Sequence, residues 1–143
     1  MKIKKVGVLG CGLMGSGVAE VAARAGYKTV VREVSEELLE KGRARIEASL
    51  GRAIKKGKLE EAESEAILGR ISGVVELDQL ADCDLVVEAI VENVEAKRQT
   101  FAALDETVKK SALFASNTSS LTITQIAMAT SRPDRFLGLH FFN

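Results

Sequence analysis

The 143-residue sequence has one proline, one histidine and two cysteines, and its charges cancel, with 20 Lys and Arg against 20 Asp and Glu. Each scarcity excludes something. A formal net charge of zero supplies no long-range field to gather nucleic acid or an anionic membrane surface. No apolar run approaches the ~18 residues of a membrane-spanning helix. Cys11 and Cys83 lie far apart and belong to no metal-type cluster. Cys11 reads as a small loop filler and Cys83 as the residue leading into a core strand, and a reducing cytoplasm suits both. Met1-Lys2-Ile3-Lys4-Lys5 passes directly into a strand, so no cleaved leader is expected. The composition, 46% apolar and 28% charged, is that of a globular chain long enough to bury the core of one domain.

What is present begins with Val6-Gly7-Val8-Leu9-Gly10-Cys11-Gly12-Leu13-Met14-Gly15, an apolar strand running into Gly-x-Gly-x-x-Gly. In this pattern Gly10 permits the tight strand-to-helix turn and Gly12 lets the backbone approach a pyrophosphate. Gly15 lets the following helix pack closely on the strand. That helix points free N–H groups and the positive end of its dipole at the phosphates. Val18, Val21, Ala22 and Ala25, at i, i+3, i+4 and i+7, form its expected buried face. A second strand, Thr29-Val30-Val31, delivers Glu33, 23 positions after Gly10, where an acid reads the adenine ribose hydroxyls. Glycines, flanking strand, amphipathic helix and acid together predict a dinucleotide site.

Apolar strand runs alternate with helical patterns along the rest of the chain. This is the signature of an α/β fold, a Rossmann-type doubly wound parallel sheet. Strands are expected at Lys4–Leu9, Lys28–Arg32, a short one near Val74-Val75, Asp84–Ile90, Leu113–Ser116 and Phe136–Phe141. Ser35 is the expected N-cap of a helix whose apolar face is Leu39, Gly42, Ile46, Leu50 and Ala53 and which stops at Gly57. A second helix over Glu60–Leu68 completes a helical hairpin inserted after the second strand, longer than a minimal crossover requires. Further helices are expected at Glu95–Lys109 and Thr122–Ala129. Pro133 breaks the chain before the last strand.

Several polar residues admit two readings from spacing alone. Arg45, Ser49, Arg52 and Lys56 fall at i, i+4, i+7 and i+11, opposite the apolar stripe, as a solvated face or a phosphate site. Ser119 sits in a Ser/Thr-rich turn as a helix cap or a hydrogen-bonding group. Glu92 and Lys97 are a surface pair or part of a site. His140 is a satisfied core histidine or a proton-transfer group at the end of a strand.

Three further segments carry a resemblance: Asp84 to Asn93 (DLVVEAIVEN), Ser116 to Ser120 (SNTSS) and Phe136 to Asn143 (FLGLHFFN). With the glycine loop, they make the chain similar over essentially its whole length to the NAD-binding domain of 3-hydroxyacyl-CoA dehydrogenases, especially the bacterial 3-hydroxybutyryl-CoA enzymes. The resemblance implies that Gly10, Gly12, Leu13, Met14 and Gly15 wrap the pyrophosphate of NAD and Glu33 takes the adenosine ribose. Ala89 and Ile90 would line the crevice, and Glu92 and Lys97 would contact NAD toward its nicotinamide. Asn117 would touch the nicotinamide ribose, with Ser119 between cofactor and substrate. It implies that His140 is the catalytic histidine and that Ser49 and Lys56 bind the CoA moiety. The implied substrates are acyl-CoA thioesters such as acetoacetyl-CoA and 3-hydroxybutyryl-CoA.

Two departures from the family pattern matter. The family continues past the position of Asn143 with a glutamate that orients the imidazole and a C-terminal helical domain that closes over the acyl chain and forms a homodimer. The expectation is therefore that residues 1–143 form an isolated cofactor domain of a cytoplasmic enzyme, which binds NAD and turns over little or no substrate. Glu33 stands where the family more often has aspartate; it still favours NAD, although Arg32 beside it can accommodate a 2′-phosphate. Alternative functions are a non-catalytic NAD-binding module and the dehydrogenase part of a multifunctional fatty-acid oxidation protein, against which the start at Met1 weighs. A 2-hydroxy-acid or sugar-acid dehydrogenase on the same fold would use a lysine base and would not need Ser49 and Lys56.

Overall fold

Short runs rich in β-branched residues, apolar on both faces, build a sheet that helices must cover on both sides. In the computed structural model, which describes residues 1–141, that sheet has six strands: β1 (Lys5–Leu9), β2 (Lys28–Arg32), β3 (Ile71–Val74), β4 (Leu85–Glu88), β5 (Leu113–Ser116) and β6 (Phe136–Gly138). Phe142 and Asn143, the end of the motif that closes the sequence, lie outside the described residues. All five strand pairings are parallel, in the order β3-β2-β1-β4-β5-β6. The order reverses between β1 and β4, so a crevice opens at the C-terminal ends of these two strands.

The helices are α1 (Leu13–Arg24), α2 (Glu36–Lys55), α3 (Glu61–Gly69), α4 (Val94–Thr107) and α5 (Ile123–Ala127). On one face of the sheet Val6, Val8 and Val31 pack with Val18 and Ala19 of α1, Ile46 and Leu50 of α2, and Ile67 of α3. On the other, Leu9, Val86 and Phe114 pack with Phe101 and Leu104 of α4 and Ile126 of α5. The inserted hairpin forms as expected. Ser35 Oγ accepts the Leu38 N–H at 3.3 Å, Gly42, Ile46 and Leu50 are buried, and the chain leaves α2 at Gly57 with φ +71°. Cys11 and Cys83 are both buried in the core.

Four details depart from the sequence reading, each for a local reason. The buried face of α1 is Gly15, Ser16, Val18, Ala19 and Ala23, while Val21 is 51% exposed and Ala25 lies on the surface. The tight seat of Gly15 sets the rotation of the helix, and positions three and four on from it follow inward. The third strand is Ile71–Val74, earlier than the valine pair. Its middle residues are Ser72 and Gly73, because Leu39 of α2 lies directly over Gly73 and leaves little room for a side chain. Strand β4 ends at Glu88, whose own carboxylate accepts the Ile90 N–H at 2.7 Å and turns the chain out of the sheet. Strand β6 ends at Gly138, so His140 stands beyond the sheet.

Two ion pairs, one buried and one part-exposed, tie elements of the fold together. Arg132 directs all five of its N–H donors inward, to the Asp105 carboxylate and to the carbonyls of Asp105, Val108, Lys109 and Ala112, and stacks 4.3 Å over the Phe114 ring. It thereby satisfies the carbonyl end of α4. Asp84 joins the start of β1 to that of β4 by accepting the Lys4 and Lys5 N–H groups at 2.8 and 3.0 Å and the Lys109 ammonium at 2.5 Å. The Lys109 bond foremost, then the two backbone N–H groups, lowers its carboxyl to about 2. A depressed carboxyl stabilises the fold above its unfolded pKa of about 4 and loses that contribution as pH falls toward 2. Asp84→Asn is therefore expected to lower stability at pH 7 by about 1–3 kcal/mol and to flatten the acid limb between about pH 4 and 2. Urea unfolding across that range measures it, and an unchanged acid limb would refute it.

Candidate functional site

The site starts at the turn between β1 and α1. Gly10 has φ +92°, and a Cβ there would lie 2.7 Å from the Ala89 carbonyl oxygen. A Cβ on Gly15 would lie 2.0 Å from the Gly10 carbonyl oxygen, so helix and loop touch backbone to backbone. Gly12 differs from both: a Cβ there meets nothing within 4 Å. Gly12 is also the N-cap of α1, and no side chain caps that helix. A bare backbone edge, an uncapped 12-residue helix and open space in front of them fit an anionic diphosphate.

Side chains from three directions hold this loop. The Glu33 carboxylate accepts the Cys11 N–H at 2.9 Å and the Val34 N–H at 3.1 Å. Arg45 of α2 donates to the Cys11 carbonyl at 3.2 Å. The Cys11 side chain seats against Gly42, where a Cβ would come within 2.0 Å of its Sγ. Burial, then the nearby Glu33 carboxylate, pushes the Cys11 thiol up to about 11, so it packs as an apolar filler and is no nucleophile. Arg32 spends its Nε on the Val75 carbonyl at 2.7 Å, which ties the guanidinium to the end of β3.

Two hollows meet at Gly12. One, of about 450 Å³, is bordered by Gly10, Gly12, Arg32, Glu33 and Leu38. The other, of about 540 Å³, is lined by Gly12, Leu13, Met14, Glu92, Lys97, Asn117, Ser119 and His140. Both share Ala89, Ile90 and Val91, the segment that leaves β4. The second hollow thus gathers the site residues expected from four separate segments. His140 is presented by two bonds on either side of it: the Leu139 N–H donates to the Ser116 carbonyl, and the Phe141 N–H to Asn117 Oδ1 at 2.8 Å.

Ser49 and Lys56 do not border either hollow. They continue a stripe on α2 that starts at Arg45, against the glycine loop, and runs some 16 Å along the helix at 1.5 Å per residue. Glu92 and Lys97 are no solvated pair: Lys97 is 1% exposed. Its ammonium lies 2.5 Å from Glu88 and 3.2 Å from Glu92. Glu92 also accepts the hydroxyls of Thr118 and Ser120 at 2.9 and 3.2 Å. Burial raises the Glu92 carboxyl, but these hydroxyls and Lys97 outweigh it and hold the group below its ordinary value.

Glu88 is the residue that sequence reasoning missed. It is fully buried at the end of β4 and accepts from the Ile90 N–H, the Lys97 ammonium and, at 2.6 Å, Ser116 Oγ. A signal for it existed. Lys97 falls four, seven and eleven positions before Phe101, Leu104 and Val108, on the apolar face of its helix, and a lysine there demands a buried counter-charge. Among the described residues no cluster of three His, Cys, Asp or Glu side chains is placed to hold a metal ion, and no helix is long and apolar enough to cross a membrane.

Comparison with known proteins gives a consistent result. The family "3-hydroxyacyl-CoA dehydrogenase, NAD binding domain" matches residues 5–143. A 3-hydroxybutyryl-CoA dehydrogenase of Bradyrhizobium diazoefficiens is 51% identical over 142 residues, 99% of this chain and 48% of that protein. The mitochondrial hydroxyacyl-coenzyme A dehydrogenase of Rattus norvegicus is 46% identical over 147 residues, covering 99% of this chain and 47% of that protein. The crystal structure of (S)-3-hydroxybutyryl-CoA dehydrogenase from Ralstonia eutropha superposes with a TM-score of 0.97 at 43% identity, over 99% of this chain and 50% of that one. The chain spans about half the length of the curated relatives it matches.

Proposed function

Because this chain belongs to the NAD-binding-domain family of 3-hydroxyacyl-CoA dehydrogenases, we propose that its two hollows hold the halves of NAD, with His140 serving dehydrogenation of a 3-hydroxyacyl thioester. The observation that carries the reading is the meeting of the hollows at Gly12. A dinucleotide whose diphosphate lies on the Gly12 backbone must send one nucleoside toward Glu33 and the other toward His140. Glu33 then accepts from the ribose hydroxyls, and its charge repels a 2′-phosphate.

Held by the Gly12 backbone, Glu33 and Asn117, NAD would supply the hydride acceptor or donor for C3 of the 3-hydroxyacyl or 3-oxoacyl thioester. The chain's own residues do the rest. His140 takes the C3 hydroxyl proton in oxidation and gives it back in reduction, the general acid–base task that an imidazole most often performs in enzymes. Ser119 donates to the same oxygen and helps to place it. Asn117 has Oδ1 engaged by the Phe141 N–H, which leaves its amide nitrogen to donate to the ribose. Ser49 and Lys56, farther along α2, bind phosphate groups of the CoA. The substrate class is 3-hydroxybutyryl-CoA and its oxidised partner acetoacetyl-CoA, turned over by a full-length homodimeric enzyme of which residues 1–143 are the cofactor domain.

Fluorescence titration of the chain tests the cofactor assignment. NADH is expected to bind, and NADPH to bind about tenfold more weakly or worse, a difference of at least ~1.4 kcal/mol. Tighter binding of NADPH would overturn the role of Glu33 and would point to Arg32 as a phosphate ligand.

A further inference from the structure

We infer that the ion cluster Glu88–Lys97–Glu92, buried at Glu88 and Lys97 and open to the hollow at Glu92, sets the preference of the site for the oxidised over the reduced cofactor, with Glu88 acting as a positioning residue through Lys97. The inference rests on the nicotinamide lying in the His140 hollow, as proposed above.

The charges are read from the donors. Every contact of the Glu88 carboxylate is a donor: the Ile90 N–H at 2.7 Å, Ser116 Oγ at 2.6 Å and the Lys97 ammonium at 2.5 Å. The Ile90 N–H and the Lys97 ammonium can only donate, and an ammonium 2.5 Å away holds the carboxyl as an ionised acceptor. Glu92 is likewise met by Thr118, Ser120 and Lys97. Two carboxylates share one ammonium, so the cluster carries one net negative charge. Glu92 and Lys97 are the only Asp, Glu, Lys or Arg side chains among the described residues that line the His140 hollow, and Glu88 lies directly behind them. No other Asp, Glu, Lys or Arg side chain in the lining offsets that charge.

A fold needing stability alone gains little from this arrangement. Burying an ion pair costs about as much desolvation as its attraction returns, and apolar residues of similar volume stabilise as well or better. What the cluster does supply is a fixed charge in a fixed place. Glu92 crosses from the segment after β4 to Thr118 and Ser120 after β5, so both walls of the hollow are braced around it. The oxidised nicotinamide ring is a cation and the reduced ring is neutral. A held negative charge beside the ring therefore favours NAD+ over NADH, and salt screens the buried Glu88 less than the half-exposed Glu92.

The test is the ratio of the NAD+ and NADH dissociation constants, measured by calorimetry and by fluorescence on the intact chain. Glu92→Gln and Glu88→Gln each remove one negative charge. The amide introduced by Glu88→Gln can keep the Ile90 and Lys97 contacts through its oxygen and turn its nitrogen to Ser116 Oγ, which accepts as well as donates. Both variants are expected to shift the ratio against NAD+ roughly tenfold, the effect of one unit charge acting over about 10 Å at an effective dielectric near 20. Glu95→Gln, which removes an exposed charge on the first turn of α4 outside the cluster, is expected to leave the ratio within about twofold. A merely structural role would weaken both cofactors in parallel and hold the ratio constant. If Glu88→Gln fails to fold, the half-exposed Glu92 decides the matter alone. Unchanged ratios in folded variants that bind both cofactors overturn this inference and leave the proposed function standing, whereas a wild-type chain that binds neither overturns both.

Discussion

His140→Ala in a full-length enzyme carrying this domain is expected to lower kcat for acetoacetyl-CoA reduction by about a hundred- to ten-thousandfold while leaving NADH affinity within about twofold. The magnitude is that of removing a positioned acid or base from a proton transfer. The selectivity comes from where His140 sits. It is exposed on the step beyond β6, which is anchored by two backbone donors, the Leu139 N–H on the Ser116 carbonyl and the Phe141 N–H on Asn117 Oδ1. Truncating the imidazole removes neither bond, so the walls of the hollow stay in place for the cofactor. Stopped-flow rates with bound NADH separate the chemical step from binding. An unchanged rate would remove His140 from the mechanism. A parallel collapse of NADH affinity would mean that the imidazole acts in binding instead.

Gly12→Val is expected to abolish cofactor binding and to leave the fold intact. At Gly12 φ is −74°, a value any residue adopts, and an added Cβ points into open space, so stability should change by no more than about 0.5 kcal/mol. A branched side chain there occupies the place of the diphosphate and bars it from the α1 N–H groups. Losing two charge-assisted hydrogen bonds costs about 3 kcal/mol or more, which is at least a hundredfold in Kd. Gly15→Ala provides the contrast. Its Cβ would fall 2.0 Å from the Gly10 carbonyl, so helix and turn must separate, with a loss of roughly 1–3 kcal/mol of stability. Thermal melts with and without NADH distinguish the two: Gly12→Val keeps its melting temperature and loses the ligand-induced rise, and Gly15→Ala melts lower even without ligand.

The parts of the fold legible in the sequence were those governed by local rules. The glycine loop, the Ser35 cap, the stop at Gly57 and the apolar face of α2 follow from turn, cap and spacing chemistry, and each stands where those rules put it. The residues from four segments that meet in the His140 hollow were legible only through resemblance, since no spacing rule brings Gly12, Glu92, Asn117 and His140 together. What escaped was decided by tertiary contact. The rotation of α1 depends on Gly15 touching Gly10, so the periodicity alone put Val21 on the wrong side. Strand β3 takes its register from β2 and from Leu39 lying over Gly73, and the more apolar Val74-Val75 pair misled. The partnership of Glu88 with Lys97 spans a turn and a helix start, and only the place of Lys97 on the apolar face of α4 signals it.

The central claim is that the backbone around Gly12 carries the diphosphate of NAD between Glu33 and His140. A crystal structure of the chain soaked with NAD tests it most directly. The account predicts phosphate oxygens on the first N–H groups of α1, the adenosine ribose on the Glu33 carboxylate, and the nicotinamide ring in the hollow shared by Asn117, Ser119 and His140. Density for the cofactor elsewhere, or a ring lying on the Glu33 side of Gly12, would contradict it.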